Sequence, residues 1–140
     1  MIRRVFLGSV LVLILATGAS AATRIPSFYG CQDTGAAIRP KTIVIACGDS
    51  HYLITRLIWS RWNTTSAAAK GAAHVNYCNC ATGKFHIYRD VHVVLTRPKT
   101  CSGHLRLFTR IGVTFKKHKA DGIPRRSRQP APFSPQPHCP

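Results

Sequence analysis

Glutamate is absent from this 140-residue chain, and four aspartates stand against 20 lysines and arginines, for a formal net charge of +16. Asp33, Asp49, Asp90 and Asp121 are therefore the only side-chain carboxylates on which acid–base chemistry could draw. Asp49 and Asp90 lie in turn-like sequence, where an aspartate more simply satisfies local backbone. Also missing, beyond the N-terminus, is any apolar run of membrane-spanning length, which takes roughly 20 residues. No aromatic-rich basic motif of the DNA- or RNA-binding modules is present, which argues against specific nucleic-acid recognition. No segment reads as a convincing helix.

The N-terminus carries a three-part export signature. Arg3 and Arg4 precede an apolar run from Val5 to Leu15, and Ala19-Ser20-Ala21 supplies the small-x-small pattern of signal peptidase. The run is too short to span a bilayer, and no cysteine near the cleavage site suggests a lipid anchor. Residues 1–21 are expected to be a signal peptide, so the expected location is secreted, with no transmembrane segment after cleavage. The remainder is long enough for one domain and too short for two of ordinary size.

The mature part reads as β structure. Residues 22–41, with Pro26, Gly30, Gly35 and Pro40, have no clear period and form an irregular arm. Thr42–Cys47 is a short β-branched run between turn signals, as a buried strand requires. His51–Trp59 fits a second strand, and the stretch from there through the alanines to Gly71 reads as a loop. Strands follow at 74–78, 84–88 and 90–96, the last with Val91, Val93 and Leu95 on one face. Leu105, Leu107, Thr109, Ile111, Val113 and Phe115 then hold the strongest period-2 alternation in the chain. After Phe115 the pattern stops, and a basic segment with Pro124, Pro130, Pro132, Pro135, Pro137 and Pro140 is expected to be a disordered tail. The fold class is thus all-β: a small antiparallel sandwich or barrel over 42–115, small enough for cross-links to matter.

Several motifs together resemble a family of small secreted actinobacterial proteins of unestablished activity. They are Ile43-Val44-Ile45-Ala46-Cys47-Gly48-Asp49; Trp59-x-x-Trp62; Asn76-Tyr77-Cys78; Cys80-Ala81-Thr82-Gly83-Lys84-Phe85-His86-Ile87-Tyr88; Arg97-Pro98-Lys99-Thr100-Cys101-Ser102-Gly103; and Phe108 to Phe115. The resemblance covers roughly residues 39–115. The chain departs from it in a shortened Cys78-Asn79-Cys80 loop and in the alanines that replace a glycine-rich linker. The resemblance implies export and the β fold, and it transfers no catalytic residue.

The six cysteines of an exported chain are read as disulfides. Cys78 and Cys80 are too close to bond each other without a strained ring, so each should pair elsewhere. Cys47 and Cys101 fall inside the region of resemblance, and two core bridges are expected. These are Cys47–Cys78 with Cys80–Cys101, or Cys47–Cys80 with Cys78–Cys101. Cys31 and Cys139, in the arm and the tail, stay open.

Three catalytic or metal readings meet simpler ones. His74, Cys78, Cys80 and His86 form a set that zinc accepts, but the spacing matches no common finger and export favours oxidised thiols. Cys-x-Cys is not the Cys-x-x-Cys at a helix start that redox enzymes use. A ribonuclease-like site would need two histidines or a histidine and a carboxylate. His86 and His92, on neighbouring strands, could approach each other, yet both read as solvent-facing. Trp59 and Trp62 cannot both point to one face of a regular strand, so at least one belongs to the core. Asn63-Thr64-Thr65 matches the glycosylation pattern, which alone says little. No cofactor or metal is expected. The expected function is that of a non-enzymatic secreted or envelope-associated domain, with non-specific polyanion contact through the basic tail; the alternative is a small secreted hydrolase acting on a polyanion.

Overall fold

The computed structural model describes residues 24–31, 35–48, 50–78, 83–117, 120–131 and 139. The expected signal peptide at 1–21, together with Asp33, Asp49 and Cys80, lies outside the described residues. Eight strands are present among those described: β1 (Phe28–Tyr29), β2 (Ala36–Ala37), β3 (Ile43–Val44), β4 (Tyr52–Trp62), β5 (Ala67–Val75), β6 (His86–Thr100), β7 (Arg106–Phe115) and β8 (Arg126–Pro130). β3 to β8 form one six-stranded sheet in sequence order, every neighbouring pair antiparallel, and β1 and β2 form a separate hairpin. The all-β antiparallel expectation holds, as a curled sheet with disulfides.

Bulges bend the sheet. The β4–β5 register shifts between Thr55 and Ile58 and again between Trp59 and Arg61, and β5–β6 shifts between Gly71 and Ala73. Arg56 (φ 53°) and Asp90 (φ 58°) occupy these bulges in the left-handed region, the conformation that adds twist and curvature to a strand. The curl brings the inner face onto itself. Ile54, Leu57, Trp62, Val91, Val93, Leu95, Phe108, Ile111, Val113 and Phe115 pack there as one cluster, and no polar or charged residue is buried among those described.

The segment from Ala67 to Gly71 is not a loop: it is continuous with the strand expected from His74, and together they form a central strand, Ala67–Val75. Its small side chains make this possible. Ala67, Ala69 and Ala73 are buried in the core cluster. At Gly71 a Cβ would stand 2.7 Å from the Thr55 carbonyl oxygen and 3.0 Å from Leu57 Cδ2. Asn63 makes the preceding turn. Its Oδ1 accepts hydrogen bonds from the backbone N–H groups of Thr65 (3.0 Å) and Ser66 (2.8 Å), the Asx-turn role of asparagine.

The arm and the tail both join the fold. Ser27 donates to the Arg106 carbonyl (2.9 Å) and accepts from the Phe108 N–H (3.0 Å), so it lies along the first part of β7. β8 takes the remainder of that edge, pairing Arg126 with Thr114 through to Pro130 with Arg110. Ala120 and Ala131 on either side of β8 are buried. Residues 120–131 thus correct the expectation of a wholly disordered tail. β7 would otherwise expose a hydrogen-bonding edge, and β8 covers it.

The disulfides also differ from expectation. Cys31 bonds Cys47, and Cys101 bonds Cys139. Cys78 is disulfide-bonded as well. The physical reason is strand direction. Val75 pairs with His86, so Cys78 follows β5 at the end of the sheet where β6 begins, whereas Cys101 follows β6 at its far end. A strand rises about 3.3 Å per residue, and a disulfide needs Cα atoms within about 7 Å. The 15 residues of β6 therefore forbid a Cys78–Cys101 bridge. Cys139 reaches the Cys101 end because β8 runs in the same direction as β6, antiparallel to β7.

Candidate functional site

The outer face of β6, β7 and β8 is built from directly opposed residues, which project to the same side of an antiparallel sheet. Three rows cross it: His92, Thr114 and Arg126; Val94, Gly112 and Arg128; Thr96, Arg110 and Pro130. The inner rows of the same strands hold Val91, Val93 and Leu95 against Phe115, Val113 and Ile111. The period-2 pattern that builds the core therefore also sets the cations on the opposite side.

These rows form a groove of about 350 Å3. Its lining includes Arg97, Arg110, Arg126 and Arg128, with Thr96, Thr114 and Ser127 as hydroxyl-bearing residues, and no aspartate. Val94, 38% exposed, and Gly112 contribute the apolar part. None of the four arginines is in an ion pair with a carboxylate among the described residues. The described ion pair lies elsewhere, between Lys117 and Asp90 at 3.0 Å. Arg126 and Arg128 stand two residues apart on one strand, roughly 7 Å by the rise of an extended chain. Guanidinium groups at that spacing suit successive tetrahedral oxyanions, which they bind in bidentate fashion.

Beyond the groove the same face stays basic. Lys70 on β5 is opposite His92. Desolvation, with help from Lys116 and Lys70, holds the His92 imidazole below its ordinary range, against a smaller opposing effect of Asp90. The Lys117 ammonium holds the Asp90 carboxyl below the usual carboxylate range. Asp90 is thus an ionised partner of Lys117 in the structure.

The other sequence candidates are dispersed. His86 and His92 lie on one strand, six positions apart, not on neighbouring strands. His86 is opposite Val75, and its ring meets Tyr77 edge-on at 5.1 Å. His74, one position before Val75, projects to the other face, where its Nε2 lies 2.9 Å from Thr55 Oγ1. The two histidines of the zinc reading are thus on opposite sides of the sheet, and no metal-holding group of three or more ligands occurs among the described residues. Tyr77 and Tyr88 share a hydrogen bond of 2.8 Å, and burial together with that bond pushes the Tyr77 phenol up to about 12.

Trp59 and Trp62 do share a face, because the bulge between Trp59 and Arg61 inserts a residue between them. Their rings meet edge-on at 4.5 Å, and Trp62 meets Phe108 at 5.6 Å. The indole N–H groups donate to the Pro40 (2.8 Å) and Pro26 (2.9 Å) carbonyls, pinning the arm to β4. The pair is structural, not a sugar platform.

No family model, curated protein or solved structure matches the chain. Its chemistry rests on its own residues. Sequence reasoning placed the cations in a free tail and missed the groove. The available signal was the alternation Arg126-x-Arg128, which gives a strand one charged face.

Proposed function

We propose that the chain is an exported, non-enzymatic β domain that binds polyanions of the cell envelope through the outer face of β6–β8. The carrying observation is the groove, whose lining sets four arginines together with no carboxylate among them. A concave surface of one sign concentrates opposite charge and strengthens with the low-dielectric wall behind it. The lining offers guanidinium and hydroxyl groups and no acid–base pair of the kind hydrolysis needs, which supports binding over a polyanion hydrolase. Export is supported by the N-terminal signature, by the disulfides, which belong to oxidising compartments, and by the resemblance to small secreted actinobacterial proteins. No helix among the described residues is long and apolar enough to cross a membrane.

The test is a salt titration of heparin binding by the oxidised chain. Log affinity should fall linearly with log salt, and the double substitution Arg110→Ala with Arg128→Ala should reduce the slope by about two, one for each lost contact. An unchanged slope and affinity in that variant would remove the groove from the binding surface.

A further inference from the structure

Two backbone positions in the groove carry a cost that packing does not explain. The first is Gly112, in the middle of β7. Glycine in a strand interior weakens it relative to alanine, and it often marks a close approach by a ligand or another backbone. Nothing in the fold requires it here. A Cβ at Gly112 would meet the Ser127 carbonyl oxygen at 3.6 Å, Arg128 Cγ at 3.7 Å and the Val94 carbonyl oxygen at 3.8 Å, all ordinary contacts. Gly71 shows the contrast, since a Cβ there would overlap the Thr55 carbonyl.

The second position is Arg97, whose φ of 54° lies in the left-handed region. Such a residue is strained unless the surroundings impose it, and strain of this kind collects at binding and catalytic sites. Arg56 and Asp90 have the same backbone, but at bulges that explain it. No register shift accompanies Arg97: Thr96 pairs with Arg110 and Pro98 with Phe108, and only the Arg97 position itself drops out of the ladder. The consequence is local. Arg97 lines the groove beside Thr96, on a backbone that departs from regular strand geometry. Thr109 Oγ1 donates to the Arg97 carbonyl at 2.7 Å and holds the turned backbone in place.

Resting on the polyanion-binding reading, we propose that the groove is a seat for one extended, base-free polymer chain carrying phosphate or sulfate groups. The chain lies over Gly112, with oxyanions taken by Arg97 and Arg110 on one side and by Arg126 and Arg128 on the other. The missing side chain at Gly112 lets the polymer backbone down to the sheet, and the turned backbone at Arg97 supplies the fourth guanidinium. The volume of about 350 Å3 suits one or two polymer units and excludes a duplex. No aromatic ring lines the groove, and non-specific single-stranded nucleic acid binding relies on aromatic platforms for its bases. Hydroxyl-bearing Thr96 and Thr114 suit a polyol or sugar phosphate or sulfate instead.

The test uses the oxidised chain with three probes of matched charge: inorganic polyphosphate, a heparin octasaccharide and an oligothymidylate. Gly112→Leu should fill the floor and Arg97→Gly should keep the backbone while removing the guanidinium. Each should weaken polyphosphate and heparin binding roughly tenfold, as loss of a bidentate contact or of close approach would, with melting temperature unchanged or raised. The oligothymidylate should bind more weakly than either and respond little to Gly112→Leu. If both variants bind polyphosphate and heparin like the parent while Arg110→Ala with Arg128→Ala does not, the seat is wrong and the cationic face stands. If the double arginine variant is also unaffected, the proposed function fails with it. Tighter binding of oligothymidylate than of the base-free probes would overturn the choice of ligand. Equal weakening of all three probes by Gly112→Leu would do the same.

Discussion

Tyr52 brings an aromatic ring to the core cluster and a hydroxyl that has nowhere to go. Its Oη is buried without a hydrogen-bond partner among the described residues, and burial drives the phenol pKa up. A buried unsatisfied polar atom costs about 1–3 kcal/mol. Tyr52→Phe removes it at nearly constant shape, so thermal unfolding should show a rise of a few degrees, from about 1 kcal/mol of added stability. A fall of that size would mean that the hydroxyl is satisfied in solution. Trp62 shows the other outcome for a polar aromatic. The residue is 8% exposed, and its indole N–H finds the Pro26 carbonyl at 2.9 Å. Trp62→Phe therefore loses the hydrogen bond to the arm and leaves a smaller ring against Trp59 and Phe108.

β8 is the element that most changes the picture of the chain. Truncation after Phe115 would uncover the β7 edge, remove buried Ala120 and Ala131, break Cys101–Cys139 and delete Arg126 and Arg128 from the groove. Loss of a native disulfide in a small domain costs about 2–5 kcal/mol by itself. The truncated chain should lose at least that much in denaturant unfolding, and Cys139→Ser most of it. Wild-type stability in both would show that the C-terminal segment is an ornament. The elements differ in how legible they were. β7 could be read directly, since Ile111-x-Val113-x-Phe115 continues a one-faced alternation along it, but β6 was legible only in its middle: Val91-x-Val93-x-Leu95 marks one face, while the bulge at Asp90 made a single strand, His86–Thr100, read as two at 84–88 and 90–96. β5 was hidden because most of its buried positions are alanines, which are depleted in strands and carry no β-branched or aromatic signal. β8 was hidden because an edge strand can be almost wholly polar: Arg126, Arg128 and Pro130 are exposed, and the core it serves belongs to β7. Trp59 and Trp62 misled for the same kind of reason. Spacing assigns them to opposite faces, and a bulge, invisible in side-chain pattern, returns them to one.

At the scale of the molecule, disulfides tie both ends of the described chain to the sheet. Cys31–Cys47 fixes the arm beside β3, and Cys101–Cys139 fixes the C-terminal segment beyond the β6–β7 connection. Between these ties one face of the sheet is apolar and closed on itself, and the other is basic and open. Cations that the sequence assigned to a free tail, Arg126 and Arg128, thereby join Arg97 and Arg110 on the β6–β8 face. The cysteine pairing could not be read in advance because it depends on which end of a 15-residue strand each cysteine reaches. The most direct measurement is amide chemical-shift mapping of the oxidised chain titrated with a heparin octasaccharide. Shifts should cluster at residues 94–97, 110–114 and 126–128 and leave the β1–β3 region unmoved. Shifts spread evenly over all exposed cations, or centred on β3 and β4, would contradict a binding groove on this face.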